Sequence, residues 1–172
     1  MQVLRLFALI DLVGLDLIPL ITKSMKQLLP TTDPFQETAR DLPIIQKLIE
    51  DGYTGRKGKG GFYRLTTVDG VKVKEAIDLK TGAFKKAKKP TIPALQIAKD
   101  DLKKLFSYPD KYAEYAWEVM SSVLCYSAEL VGQIADDIVS IDAAMKLGYN
   151  WKYGPFELLD LIGVEWFCHK MQ

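Results

Sequence analysis

Gly55-Arg56-Lys57-Gly58-Lys59-Gly60-Gly61 is the segment whose composition most invites a chemical reading. Glycines let backbone N–H groups approach a ligand closely, and three cations add charge-assisted donors, the combination that cradles phosphates. The spacing argues against the common nucleotide devices. No Gly-Lys-Ser/Thr closes the loop, as a P-loop requires, and no strand–Gly-x-Gly-x-x-Gly–helix unit surrounds it, as dinucleotide binding requires. Two readings stand: a turn feeding a strand, and an anion contact made by Arg56, Lys57 and Lys59.

Other reactive residue types are scattered. Asp136, Asp137 and Asp142 could suggest a metal, but oxygen ligands at such helical positions would point around the axis, so they read as cap and surface charge. His169 has no acid partner nearby in the sequence, which leaves a catalytic base without its orienting group. Glu157 and Asp160 fall in a first helical turn, where carboxylates favour the helix dipole. Cys125 beside Leu124 and Tyr126 reads as a buried, inert thiol. No nucleophile, base and orienting group assemble.

Composition narrows the classes. With 172 residues, 48% hydrophobic, and 23 Lys+Arg against 22 Asp+Glu, the chain is one domain or two small ones and is not disordered. The near-neutral balance argues against a nucleic-acid binder. The cations cluster, however: residues 56–89 hold 11 Lys+Arg against 3 Asp+Glu, leaving 12 against 19 elsewhere. Lys85-Lys86-Ala87-Lys88-Lys89 lacks interleaved aromatics and reads as a solvated loop. One His and two Cys exclude the usual four-ligand zinc site, and the two Cys fit a reducing, cytoplasmic setting. The apolar opening, residues 1–21, is interrupted by Arg5, Asp11 and Asp16. An Asp at the centre of a membrane helix costs ~2.5–3.5 kcal/mol, so this stretch reads as a buried helix pair and not a membrane span.

The elements follow from periodicity. Helices are expected at 7–13 and 16–29 around Gly14, with Pro30 as a stop, and at 42–50, capped by Asp41 and ended by Gly52. A two-stranded ribbon turns at Val68-Asp69-Gly70-Val71. Further helices are expected at 94–106, at 110–134 with Tyr112, Tyr115, Ala116, Val119, Val123 and Tyr126 on one face, and at 138–147. The last is capped by Asp136, faces inward through Ile138, Ile141, Ala144 and Met145, and ends at Gly148; Pro155 opens another.

An internal repeat organises these elements. Phe7-Ala8-Leu9-Ile10-Asp11-Leu12-Val13-Gly14 returns 149 residues later as Phe156-Glu157-Leu158-Leu159-Asp160-Leu161-Ile162-Gly163, with five identities in eight. Leu15-Asp16 then parallels Val164-Glu165. Composition alone does not explain a shared Asp before Leu-aliphatic-Gly. The chain reads as the back half of one unit, a connection, and the front half of the next.

Three segments carry a family resemblance: Asp11-Leu12-Val13-Gly14-Leu15-Asp16, Gly55–Tyr63, and Ile141–Gly148 running on to Gly154-Pro155-Phe156-Glu157-Leu158-Leu159-Asp160. Together they resemble the C-terminal, all-helical region of 3-hydroxyacyl-CoA dehydrogenases, in the long bacterial form where that region is duplicated and often fused to enoyl-CoA hydratase. The resemblance implies a mainly α fold, fragments of a 6-phosphogluconate-dehydrogenase-C-terminal-like helical domain with one small β-hairpin. It implies residues 1–65 as the later part of a first repeat, 66–111 as a basic hairpin and connecting helix, and 112–172 as the opening of a second repeat.

The resemblance also implies NAD-dependent oxidation of 3-hydroxyacyl-CoA to 3-oxoacyl-CoA in fatty-acid β-oxidation. NAD and a His–Glu pair belong to an N-terminal Rossmann domain that these residues do not contain, so this chain by itself is expected to be inactive and to hold no cofactor. Its partners would be that domain, an enoyl-CoA hydratase domain, acyl-CoA and a second copy in a homodimer. The family's substrate-contacting Asn maps near Trp117, so the second repeat is expected to serve packing. A non-catalytic dimerisation module and a separate acyl-CoA or anion binder are the alternatives.

Overall fold

The computed structural model describes residues 6–88 and 90–172. Arg5, invoked above against a membrane span, and Lys89 of the basic run lie outside the described residues. The chain divides into two compact units, Met1–Lys89 and Pro90–Gln172. The expected 66–111 segment is therefore shared between them by packing: its strands belong to the first unit and its helices to the second.

The first unit runs α1 (Leu6–Val13), α2 (Leu17–Leu28), α3 (Phe35–Thr38), α4 (Pro43–Glu50), then β1 (Tyr63–Val68), β2 (Val71–Ile77) and β3 (Phe84–Lys86). Asp69 and Gly70 both take positive φ, 50° and 78°, the two-residue turn that matches strand twist. Antiparallel pairing aligns Tyr63 with Ala76 and Val68 with Val71. The expected hairpin is a three-stranded sheet, because Phe84 pairs with Ile77 and Lys86 with Glu75. The added strand sets Phe84 beside Tyr53, ring centroids 5.1 Å apart, with the Arg64 guanidinium 4.0 Å over the Phe84 ring.

Leu15, Ile45, Leu48 and Phe62 form the buried centre of this unit. Helix α4 contributes Ile45 and Leu48, but Asp41 does not cap it. Leu42 is the N-cap, without a side-chain bond, and Pro43 opens the helix at a position where no N–H is needed. The helix pair α1–α2 forms but is not buried: α2 has no buried residue, and Leu20, Ile21 and Leu28 are exposed. Among the described residues, no helix is long and apolar enough to cross a membrane.

The second unit comprises α5 (Pro93–Ala98), α6 (Leu102–Ser107), α7 (Lys111–Glu129), α8 (Ile138–Tyr149), α9 (Pro155–Ile162) and α10 (Val164–Met171). The helix expected over 94–106 is broken in two. Lys99 takes φ 52°, and the Asp101 carboxylate accepts from Lys104 N at 3.1 Å to start a new helix. Asp110 caps α7, and Asp137, one residue later than expected, caps α8 through Ser140 N at 2.7 Å. Helix α8 ends at Asn150 in the left-handed conformation and not at Gly148.

The buried stripe of α7 is Ala113, Ala116, Ser121, Leu124 and Ser127, while Tyr112, Tyr115 and Val119 are exposed. Small residues let neighbouring helices approach, while the tyrosines lie on the solvent-exposed side. Ser127 stays satisfied at depth by donating to Val123 O at 2.8 Å. In α8 only Ile141 and Asp142 are buried; Ile138 and Ala144, expected inside, face out. Ile162, Leu105, Phe106 and Phe167 complete the core.

Candidate functional site

Unit one builds its most constrained site where the glycine-basic loop closes on the corner between α1 and α2. The Asp11 side chain, 3% exposed, accepts from Phe62 N at 2.7 Å and Tyr63 N at 2.9 Å. Its own backbone carbonyl takes Arg56 N at 2.7 Å, and Leu15 N donates to Thr54 O at 3.1 Å. A buried carboxylate is tolerable only when hydrogen-bonded, and two adjacent backbone amides supply that here. The loop's glycines are the means of approach: a Cβ on Gly61 would meet the Asp11 carboxylate, and one on Gly55 would meet the Asp11 carbonyl.

The three expected anion contacts sit on the outer side of this loop, all exposed. Lys57 Nζ pairs with Asp16 at 2.8 Å and holds that carboxyl below its ordinary range. Lys59 Nζ donates to Asp51 O at 3.2 Å. The Arg56 side chain has no partner among the described residues. The loop thus brings the three cations onto one segment but engages two of them within the chain.

The second unit has a counterpart clamp built from the other end of the repeat. Gly154, at the N-cap of α9, has no side chain with which to satisfy the helix's first amides. Asp142 supplies the cap from α8: it accepts from Phe156 N at 2.8 Å and Glu157 N at 3.0 Å, and it is 7% exposed. A Cβ at Gly154 would collide with that carboxylate. Glu157 returns a bond to Gly154 N at 2.9 Å and pairs with Lys146, which together hold its carboxyl below the ordinary range. Asp142 is therefore a buried, remote cap and not the surface charge its helical position suggests. Its signal in the sequence is weak, since nothing local separates it from Asp136.

Trp117 stands in an aromatic nest, its ring 5.5 Å from Phe106, 5.2 Å from Phe167 and 5.9 Å from Trp166, with Lys170 Nζ 5.1 Å above it. His169 and Asp160 are exposed at or near the end of this unit. Cys125 is partly buried, and burial pushes its thiol up; Cys168 is exposed, and both are free. A cleft beside α2 and the start of α4, lined by Ile18, Thr22, Arg40 and Ile45 among others, has about 30 Å³ of space, the room of one or two waters. Among the described residues, no cluster of His, Cys, Asp and Glu could hold a metal ion.

Among the described residues, the glycine-rich loop Gly55–Gly61 does not fit NAD: Gly55 N, Arg56 N, Gly58 N, Lys59 N and Gly61 N donate to the chain's own carbonyls, and Cβ positions on its glycines would meet the protein's own atoms. What the geometry can do is hold shape: two buried carboxylates each staple a pair of consecutive amides.

Against known proteins, the family model for the C-terminal domain of 3-hydroxyacyl-CoA dehydrogenase matches residues 4–65 and 118–172. A Rickettsia felis protein named as a fatty acid oxidation complex trifunctional enzyme is 39% identical over 156 residues, covering 91% of this chain and 21% of that protein. A similarly named Rickettsia prowazekii protein is 36% identical over the same shares. A Bacillus subtilis protein named as a 3-hydroxyacyl-CoA dehydrogenase is 33% identical over 171 residues, 96% of this chain and 21% of that protein. No solved structure matches. The chain spans about a fifth of the length of these relatives. With two stretches that follow the same family model and cover most of its length, the chain belongs to the 3-hydroxyacyl-CoA dehydrogenase C-terminal domain family.

Proposed function

We propose that this chain is a structural portion of an NAD-dependent 3-hydroxyacyl-CoA dehydrogenase of fatty-acid β-oxidation, and that it carries no reacting group of its own. The observation that carries this reading is the pairing of the family match with the two amide staples. The family motifs are present, and each buried carboxylate in them is spent on backbone architecture. In the assembled enzyme, NAD would accept hydride within a separate nucleotide-binding domain. This chain would contribute helical surface to the acyl-CoA cleft and to domain or subunit contacts, in a cytoplasmic setting. The trifunctional name of the Rickettsia relatives supports a parent with further fused activities; an enoyl-CoA hydratase domain would be one of them.

Within this reading, residues 1–65 are the later part of one helical repeat and 112–172 the opening of another, with 66–111 between them. Trp117, packed against Phe106 and Phe167, serves the core where a substrate contact would otherwise sit. The test is a spectrophotometric assay of the chain with acetoacetyl-CoA and NADH. No turnover is expected, and turnover above the protein-free rate would overturn the proposal.

A second reading rests on Arg56, whose guanidinium has no partner among the described residues. With Lys57 and Lys59 beside it, it would meet a CoA phosphate on the outside of the loop. Titration with CoA at two salt concentrations decides this: salt-sensitive binding lost in Arg56→Ala supports it, and no binding removes it.

A further inference from the structure

The β ribbon of unit one reaches outside the family's own pattern. The family model matches residues 4–65 and 118–172, which leaves the hairpin turn, β2 and β3 beyond the match. The base of the ribbon packs, with Ile77 and Phe84 against the core of Leu15, Ile45, Leu48 and Phe62. Its distal end buries nothing, since residues 67–72 are all exposed. Val68 and Val71, register partners beside the turn, are 53% and 65% exposed, and Leu65 behind them is 69% exposed. Asp69 and Gly70 account for the turn itself. Strand propensity favours β-branched residues next to it, but threonine would meet that need without an apolar tip.

Lysines form a collar behind this tip. Alternation along the strands puts Lys72 and Lys74 on one face of the ribbon and Lys86 on the other, with Lys88 two residues beyond it. All four are exposed, and none forms an ion pair among the described residues. Lys74 Nζ rests 4.2 Å over the Tyr63 ring, which leaves its charge unneutralised. Nearby acids are already engaged: Glu75 with Arg64 at 2.7 Å, and Asp78 with Lys85 at 2.8 Å.

We propose that the tip of this ribbon docks on the surface of an anionic lipid bilayer. Val68 and Val71 enter the headgroup layer, and Lys72, Lys74, Lys86 and Lys88 pair with lipid phosphates around them. An acidic groove on a protein, or a nucleic-acid backbone, would engage one face of the ribbon. Cations on both faces behind an apolar tip fit a medium that surrounds it. At ~3.4 Å per residue Lys74 lies about 10 Å behind Val71, so the lysines stand among headgroups when the valines reach the acyl boundary. The inference needs neither acyl-CoA nor NAD, so its failure leaves the enzymological reading standing.

The test is sedimentation of the full chain with vesicles of equal parts phosphatidylglycerol and phosphatidylcholine, against vesicles of phosphatidylcholine alone. Binding to the anionic vesicles only is expected, and it should weaken about tenfold or more as salt is raised. Lys72→Gln, Lys74→Gln, Lys86→Gln and Lys88→Gln combined should weaken it by about fiftyfold or more, at roughly fivefold for each lysine near the surface, with circular dichroism unchanged. Val68→Thr with Val71→Thr keeps β-branched residues in the strands and should weaken binding about tenfold. No binding to the anionic vesicles overturns the proposal, as do equal binding to both vesicles and unchanged binding by the lysine variant. Loss in the lysine variant with full binding by the valine variant also overturns it, because charge alone would then suffice, as for a nucleic acid or another polyanion.

Discussion

Asp11 and Asp160 hold the same place in the repeated motif, and their helices bury opposite faces. In α1 the covered side is Asp11, leading to Leu15, while Leu6, Leu9 and Val13 are exposed, Val13 by 50%. In α9 the counterparts Pro155, Leu158 and Ile162 pack into the core, Ile162 at 0%, while Asp160 and Val164 face out. The helices share four of eight residues and keep the same pattern of apolar and acidic positions, so the difference lies largely in what each unit supplies as cover. Unit one supplies the glycine loop; unit two supplies α6, α7 and the Asp142 cap. One amphipathic helix therefore carries two potential interfaces, and the rest of the chain decides which is used.

That comparison can be broken by removing the covers. The largest effects are expected at the carboxylate staples. Asp11→Ala leaves two buried amides of unit one without acceptors and should cost about 3 kcal/mol, read as a lowered urea midpoint. Asp142→Ala should do the same to unit two. The two are separable by probe, because Trp117, Trp151 and Trp166 all lie in the second unit. Tryptophan fluorescence should follow Asp142→Ala and remain close to wild type for Asp11→Ala. An equal tryptophan response to Asp11→Ala and Asp142→Ala would mean that the two staples are not separate.

A smaller loss is expected from Gly61→Ala, about 2 kcal/mol, since the methyl would crowd the Asp11 carboxylate and force the loop away. Thermal melts of Gly61→Ala against Gly70→Ala would check this, since Gly70 has open space around it and pays only for its positive φ. Lys57→Ala removes an exposed ion pair and should cost less than about 1 kcal/mol, an effect that fades with added salt.

The pH response should also follow the pairings. Asp78 is held at about 2 by Lys85 and by the amides of Thr81 and Lys80. A carboxyl lowered by folding contributes fully above its ordinary value near ~3.9, and that contribution is lost as pH falls toward the folded value. Asp78→Asn should therefore flatten the loss of stability between about pH 4 and 2. An unchanged acid limb would show that the pairing does not form in solution. Asp160→Asn, with no partner to lose, should stay within about 0.5 kcal/mol of wild type.

Much of this arrangement was legible in advance. The Asp-Gly turn, the stop at Pro30 and the helix opened by Pro155 are local signals, and local geometry honours them. The Asp11–Gly14 repeat was visible because a charge inside an apolar run is not a product of composition. Three things were not legible, each for a physical reason. Helix α7 carries two apolar stripes one residue apart, and periodicity cannot choose between the tyrosine stripe and the Ala113–Ala116–Leu124 stripe that packs. Adjacent aspartates compete for a cap, so Asp137 displaced Asp136, and Asp101 broke a helix that periodicity alone continued. The staples at Asp11 and Asp142 join residues 51 and 14 positions apart, beyond any local pattern. The basic loop looked like a ligand cradle because its glycines and cations are also what a close turn around a buried carboxylate requires.

Amide hydrogen exchange at Phe62 and Tyr63 tests the comparison most directly. Asp11→Asn should speed exchange at both amides by at least tenfold while Asp160→Asn leaves every slowly exchanging amide unchanged. Equal protection of Phe62 and Tyr63 in wild type and Asp11→Asn would contradict the account.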